Sequence, residues 1–276
     1  MYICLNRGTT GGALRTEQFV ELAASAGFAG ADVEPAYGVE RGTAALRDLY
    51  TRLKMQFGGW SPPLDHRTDP ARREEAMKKL IAQAAIAAEL KIDSCATWIS
   101  PSSDRPFLET WATHVATLKP VAAALADHGL RFGLECVSPY PIRRSKKHEF
   151  IYTPGLMLEL ADSIGPNVGL LLDVWHVHHS NTPFSQIAQM PADKIVWVHL
   201  SDAPNIPPEQ IRDNARLLPG EGIIDLAGYF NALKTAGYKG PVSLETFRAV
   251  ADLPPAEAAK KAWQACEKVV PMLGEK

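Results

Sequence analysis

Two rhythms of hydrophobic and polar positions alternate along this chain from one end to the other. Short runs rich in β-branched, aromatic and leucine side chains predict strands near Tyr2–Asn6, Gly30–Pro35, Lys54–Ser61, Ser94–Ser100, Arg131–Ser138, Val168–His176, Ile195–Asp202 and Pro241–Phe247. Between them the apolar spacing shifts toward 3.6. Helices are predicted over about Thr16–Ala26, Thr43–Arg52, Arg72–Leu90, Pro106–His128, Thr153–Ile164, Asp225–Ala236 and Pro255–Met272, with a short one near Pro183–Ala188. In Arg72–Leu90 the apolar stripe runs through Ala76, Met77, Leu80, Ile81, Ala84, Ala85 and Ala88. Gly27, Gly129, Gly165 and Gly237 stand where left-handed C-caps are needed. Thr16, Asp69, Thr153 and Asp225 stand at helix starts.

Strict alternation of strand and helix implies parallel strands joined by crossovers. Eight such units, with no Gly-rich fingerprint of an open dinucleotide-binding sheet, predict an α/β protein built as one closed (β/α)8 TIM barrel over residues 1–276.

In that architecture chemistry gathers at the carboxyl ends of the strands. Strands five to eight end in FGLEC (Glu135), LLLDVWH (Asp173, His176), VWVHLSD (His199, Asp202) and VSLETF (Glu245). Alternation puts Phe132 and Leu134 on one face and Gly133 and Glu135 on the other. Val242 and Leu244 likewise oppose Ser243 and Glu245. Any one of these polar groups alone reads as a rim side chain. Three carboxylates converging with an imidazole on one axis instead call for a divalent cation, since buried charges need partners. An O3N donor set suits Mn2+ best, with Co2+, Zn2+ or Mg2+ as alternatives.

Asp202 is expected behind His199, fixing its tautomer. His176 and Arg216, the latter in the loop string ARLLPGEGIIDL, are candidates to grip substrate oxygens. Trp60 and Trp98, ending strands three and four, could wall a pocket against a sugar ring. Asn6 and Glu34 would complete the rim as hydroxyl partners.

Composition adds exclusions. Net charge is −2, so no basic field advertises nucleic acid or an anionic membrane. Four scattered cysteines without CxxC spacing read as buried thiols. The N-terminus lacks a signal-peptide pattern and no apolar run reaches about 18 residues, so the cytoplasm is the expected setting.

The strings GLEC, LLLDVWHVHH, VWVHLSD, RLLPGEGIID and VSLETFR resemble the xylose-isomerase-like barrels of sugar and sugar-phosphate isomerases and epimerases and of endonuclease IV. With CLNRGTT added, the chain is most similar to the inosose (2-keto-myo-inositol) isomerases of bacterial inositol catabolism. TWISPSSDRP and VEPAYG, at the pocket wall, depart from their pattern. The resemblance implies metal ligands at Glu135, Asp173, His199 and Glu245, and substrate contacts at His176 and Arg216. It also implies a small sugar or cyclitol substrate and leaves room for a homo-oligomer.

The expected chemistry is proton transfer on an α-hydroxyketone through a metal-stabilised enediolate, with Glu135 and Glu245 as the acid–base pair. A lyase, dehydrating or deglycosylating through the same enediolate, is the alternative. Endonuclease chemistry would need more histidines, and none follows His199. A non-catalytic sugar-binding barrel would have no need of four ligands.

Overall fold

The computed structural model describes residues 1–10, 14–63, 70–247, 249–250 and 252–274, the side chains at 70 and 71 excepted. The cap expected at Asp69 and the Arg248 of the last string lie outside these residues.

Eight parallel strands form one sheet: β1 (Tyr2–Leu5), β2 (Gly30–Ala31), β3 (Gln56–Phe57), β4 (Ser94–Ile99), β5 (Arg131–Cys136), β6 (Val168–Asp173), β7 (Ile195–Leu200) and β8 (Pro241–Leu244). Their order is β3-β2-β1-β8-β7-β6-β5-β4. A parallel bridge from Trp60 to Cys95 joins the two outer strands and closes the barrel, so no sheet edge is left open there.

The helices Thr16–Ala26, Thr43–Arg52, Pro70–Glu89, Phe107–Ala126, Pro154–Ile164, Leu226–Thr235 and Pro255–Glu267 follow the expected spans within a few residues. The buried face of Pro70–Glu89 is narrower than the apolar stripe: Leu80, Ala84 and Ala87 are buried, while Ile81 is 47% exposed. Those three fall at i, i+4 and i+7, a single stripe at 3.6 residues per turn. Gly27, Gly129 and Gly237 adopt the left-handed conformation of a C-cap, whereas Gly165, at φ 178, is extended. Asp225 caps its helix by accepting from the Gly228 N–H at 2.9 Å.

One boundary differs with a consequence. The sixth strand stops at Asp173, and Val174–His179 is a helix. The Asp173 carboxylate accepts from the Trp175 N–H at 2.9 Å, an N-cap that turns the chain out of the sheet at the rim. One-turn helices at Arg7–Thr10 and Tyr140–Arg143, a longer one at Pro35–Arg41, and a small ribbon pairing Ser102–Ser103 with His148–Glu149 decorate the loops.

The main apolar core lies between strands and helices. Inside the barrel a separate small cluster, Ala96, Leu171 and Trp197, fills the axis. The Trp197 indole needs room: a Cβ at Gly59 would lie 2.3 Å from its ring. Glycine at 59 therefore lets one large side chain floor the barrel mouth. All four cysteines are free and buried. No helix among the described residues is long and apolar enough to cross a membrane.

Candidate metal centre and its surroundings

Register delivers the four polar ends to one place. Asp173 pairs with His199, and Ser243, two before Glu245, pairs with His199 from the other side. Glu135 sits opposite Leu171, whose side chain lies inside the barrel. One ligand atom from each of Glu135, Asp173, His199 and Glu245 lies within 4.8 Å of all the others. His199 Nδ1 is 3.2 Å from Glu245 Oε2, 3.7 Å from Glu135 Oε1 and 4.0 Å from Asp173 Oδ2.

Glu135, Asp173 and His199 are buried and Glu245 partly so, and Glu135 and His199 are incompletely satisfied. Neither ring nitrogen of His199 makes a hydrogen bond of acceptable geometry, and Glu135 Oε1 has no partner. Three carboxylates and an imidazole, with orphaned atoms on Glu135 and His199, fit a divalent cation, which supplies what buried polar groups otherwise lack.

The electrostatics divide the two glutamates. Burial pushes the Glu135 carboxyl well above its usual range, against the pull of His199, and the charges of Asp173 and Glu245 add to the rise. Burial acts on Glu245 in the same sense, but the His199 and Arg216 charges outweigh it and hold it down at about 2. His199 is the counterpart: burial disfavours its charge, yet Glu245, Glu135 and Asp173 raise it to about 9.

Arg216 enters from the loop after β7 and is 2% exposed. It donates to Asp173 Oδ2, to Glu245 Oε2 at 3.0 Å and to Asp213 Oδ1 at 3.1 Å. Its guanidinium lies over the Phe247 ring at 4.5 Å.

His176 stands beside it under a constraint. The Ser138 N–H donates to Nδ1 at 3.2 Å. Burial lowers the ring's pKa and keeps it neutral, so the ring proton is assigned to Nε2. That N–H faces Arg216 Nη2 at 3.3 Å, and two donors cannot bond each other. Both are available to one oxygen acceptor placed between them, with Glu135 Oε1 4.0 Å from Nε2.

Asp202 does something other than what its position suggested. Its carboxylate accepts from the backbone N–H of Ala203, Gly220, Gly222 and Ile224 at 2.8–3.0 Å and makes no contact with His199. Past Leu200 the chain leaves the strand and forms an antiparallel bridge from Asp202 to Leu217. Asp202 thus braces the loop that carries Arg216. A Cβ at Gly222 would lie 2.3 Å from Ala203 O, so glycine is needed for this close wrap.

The two tryptophans separate. Trp98 is across from Glu135 in the β4–β5 register, shares its inward face, and is 39% exposed at the mouth. Trp60 is 2% exposed and belongs to the main core, so it is no open wall. Trp60 pairs with Cys95, itself in the main core, while a Cβ at the preceding Gly59 would face Trp197 inside the barrel. His178 and His179 end the helix at Val174–His179, and the His179 ring packs on Trp175 at 4.4 Å.

Two acids were missed in the sequence. Asp213 lies three residues before Arg216, a spacing that offered a faint signal. Asp32 follows Gly30 by two, so alternation would have placed it inside. It accepts from Ser243 Oγ at 2.5 Å and Asn6 Nδ2 at 2.7 Å, while Trp197 Nε1 donates to the same Ser243 Oγ at 2.9 Å. Burial pushes the Asp32 carboxyl up to about 7, against His199 and these hydrogen bonds. Glu34 is tied to Arg7 Nη2 at 2.7 Å and to the Thr16 hydroxyl at 2.5 Å.

Comparison with known proteins gives the setting. Residues 20–269 match the family model of the xylose isomerase-like TIM barrel. An inosose isomerase of Halalkalibacterium halodurans is 33% identical over 122 residues, 41% of this chain and 43% of its own length. A 3-dehydroshikimate dehydratase of Pseudomonas aeruginosa is 33% identical over 132 residues, 47% of this chain and 20% of its own. The chain thus matches less than half the length of either relative. A solved xylose isomerase domain protein from Alicyclobacillus acidocaldarius subsp. acidocaldarius superposes with TM-score 0.88 at 27% identity, over 99% of both chains.

Proposed function

Because this chain belongs to the xylose isomerase-like TIM barrel family, we propose that it is a divalent-metal-dependent isomerase or epimerase of a keto-sugar or keto-cyclitol such as inosose. The observation that carries the reading is the four-ligand cluster flanked by the convergent donors His176 Nε2–H and Arg216 Nη2–H. Glu135, Asp173, His199 and Glu245 would hold the ion, and their O3N set favours Mn2+. When bound, the cation supplies positive charge beside a substrate carbonyl and its neighbouring hydroxyl, favouring the negative charge that gathers on oxygen as a carbon-bound proton leaves.

The protein's own groups do the rest. His176 and Arg216 donate to the same substrate oxygen and set which carbon faces the glutamates. Glu135 and Glu245 form the acid–base pair, one taking a proton from that carbon and the other giving one back at the carbon or oxygen opposite. In the reverse direction the roles exchange. Asp173 anchors both the centre and Arg216, and Asp202 keeps the Arg216 loop in place.

In D2O with Mn2+ added, the protein is expected to exchange a carbon-bound proton of inosose or a ketose. Glu135→Gln should lower that exchange by about 10²–10⁴-fold while retaining most metal binding. An exchange rate equal to wild type in the variant removes Glu135 from the chemistry.

The match to a dehydratase favours one second reading, a lyase that uses the same proton removal and then expels a β-hydroxyl. Loss of water from the substrate, in place of an isomeric product, would select it.

A further inference from the structure

Between the ends of β1, β2 and β3 a cavity of about 350 Å3 opens at the barrel mouth. Trp197 forms part of its wall and packs edge-on against His199, ring centroids 4.5 Å apart, so the cavity adjoins the ligand cluster through that ring. It would hold about a dozen waters at ~30 Å3 each, which is room for a six-membered ring with its hydroxyls.

The lining is polar, yet it offers no surplus positive charge. Arg7 is the one cation among the described residues around it. Its guanidinium is already engaged, to Glu34 Oε2 at 2.7 Å and to Leu14 O at 2.8 Å. Asp32 adds a second carboxyl, held by Asn6 and Ser243. A phosphate placed here would meet two acids and a cation that one of them has neutralised, and desolvating it would go uncompensated.

The same lining suits hydroxyl groups. Arg7 Nε is a buried donor without an acceptor. The Glu34 and Asp32 carboxyls have lone pairs left over after the contacts described. Only a group that both donates and accepts satisfies such a mixture, and neighbouring hydroxyls on a ring do so without charge. The Trp197 ring leaves apolar surface for the C–H faces.

We propose that this cavity holds the non-reacting part of the substrate and selects an uncharged, polyhydroxylated ring over its phosphorylated counterpart, with Glu34, by neutralising Arg7, as the residue that excludes the anion. The inference rests on the sugar or cyclitol reading above and narrows it to unphosphorylated compounds.

The test is calorimetric titration of the Mn2+-loaded protein with myo-inositol and with myo-inositol 1-phosphate, inorganic phosphate being run alongside. Neither cyclitol has a carbonyl, so binding is read without turnover. A failure of proton exchange on keto compounds would refute the proposed activity and leave this result standing.

Wild type is expected to bind myo-inositol at least about ten-fold more tightly than its phosphate. Glu34→Gln keeps an amide oxygen for Arg7 and Thr16 but leaves the Arg7 charge unbalanced. It should tighten the phosphorylated probe about ten-fold or more relative to myo-inositol. Three outcomes overturn the proposal: no detectable myo-inositol binding, a wild type that prefers the phosphate, or a phosphorylated probe that binds both proteins equally, as direct capture by the ion would produce. A thermal melt of the variant checks that it folds, and the wild-type preference decides the question if it does not.

Discussion

Substituting Asp202 with Asn separates two roles that its place in the sequence leaves confounded, and the structure supplies the magnitude. The carboxylate is 1% exposed: Oδ1 accepts from Ala203 and Ile224, and Oδ2 from Gly220 and Gly222. Asn keeps one oxygen and turns an NH2 group toward the other two backbone donors. Two hydrogen bonds to a charged acceptor are lost, at ~1.5–3 kcal/mol each, so the variant should be destabilised by about 3–6 kcal/mol. For a barrel of this size that is a fall in Tm of roughly 6–24 °C.

The companion assay is Mn2+ affinity by titration calorimetry at a temperature where the variant is folded. An Asp that fixed the tautomer of His199 would take ~10–100-fold of metal affinity with it. A loop brace leaves the four ligands in place, so the affinity should change by less than about three-fold. Proton exchange should fall instead, because Arg216 rides on the braced loop. A Tm within about 2 °C of wild type together with a ten-fold loss of metal affinity would refute this reasoning and return Asp202 to His199.

Three further outcomes follow from particular contacts. Chelation should destabilise the protein: at 100 times Kd a bound ion contributes about 2.7 kcal/mol, so the Mn2+-loaded and EDTA-treated melts should differ by roughly 5–10 °C, and coincident melts would count against the four-ligand site. In EDTA-treated protein, Asp32 should make stability fall as pH rises between about 4 and 7. The folded carboxyl titrates near 7 and the unfolded one near 3.8, so across that window the unfolded chain binds fewer protons. The slope is at most ~1.4 kcal/mol per pH unit; denaturant melts at pH 5 and 7 should show it, and Asp32→Asn should flatten it. Gly59→Ala, whose Cβ would meet the Trp197 ring at 2.3 Å, should cost about 1–3 kcal/mol by overpacking and weaken metal binding by tilting the floor under His199; unchanged stability and affinity would show that the ring yields freely.

Much of the molecule was legible before any contact was known, for local reasons. Strand and helix periods are properties of neighbouring residues, so the eight βα units could be read directly. Strand alternation also put Glu135 and Glu245 on the inner face. Parallel register then had little freedom left in gathering Glu135, Asp173, His199 and Glu245 at one mouth. Other features depended on partners far away in the chain. Asp32 meets Ser243 across 211 positions, and Trp60 takes its face from pairing with Cys95 across the barrel seam. Asp202 found four backbone donors on a loop that begins to wrap only once β7 has ended, so its position suggested His199 and its contacts decided otherwise. The sequence by itself determined the barrel and the meeting of four polar strand ends at its mouth, because both follow from periodicity and strand ends. The tertiary structure alone decided which groups brace, floor and line the site, because hydrogen-bond partners and packing space are set by long-range approach.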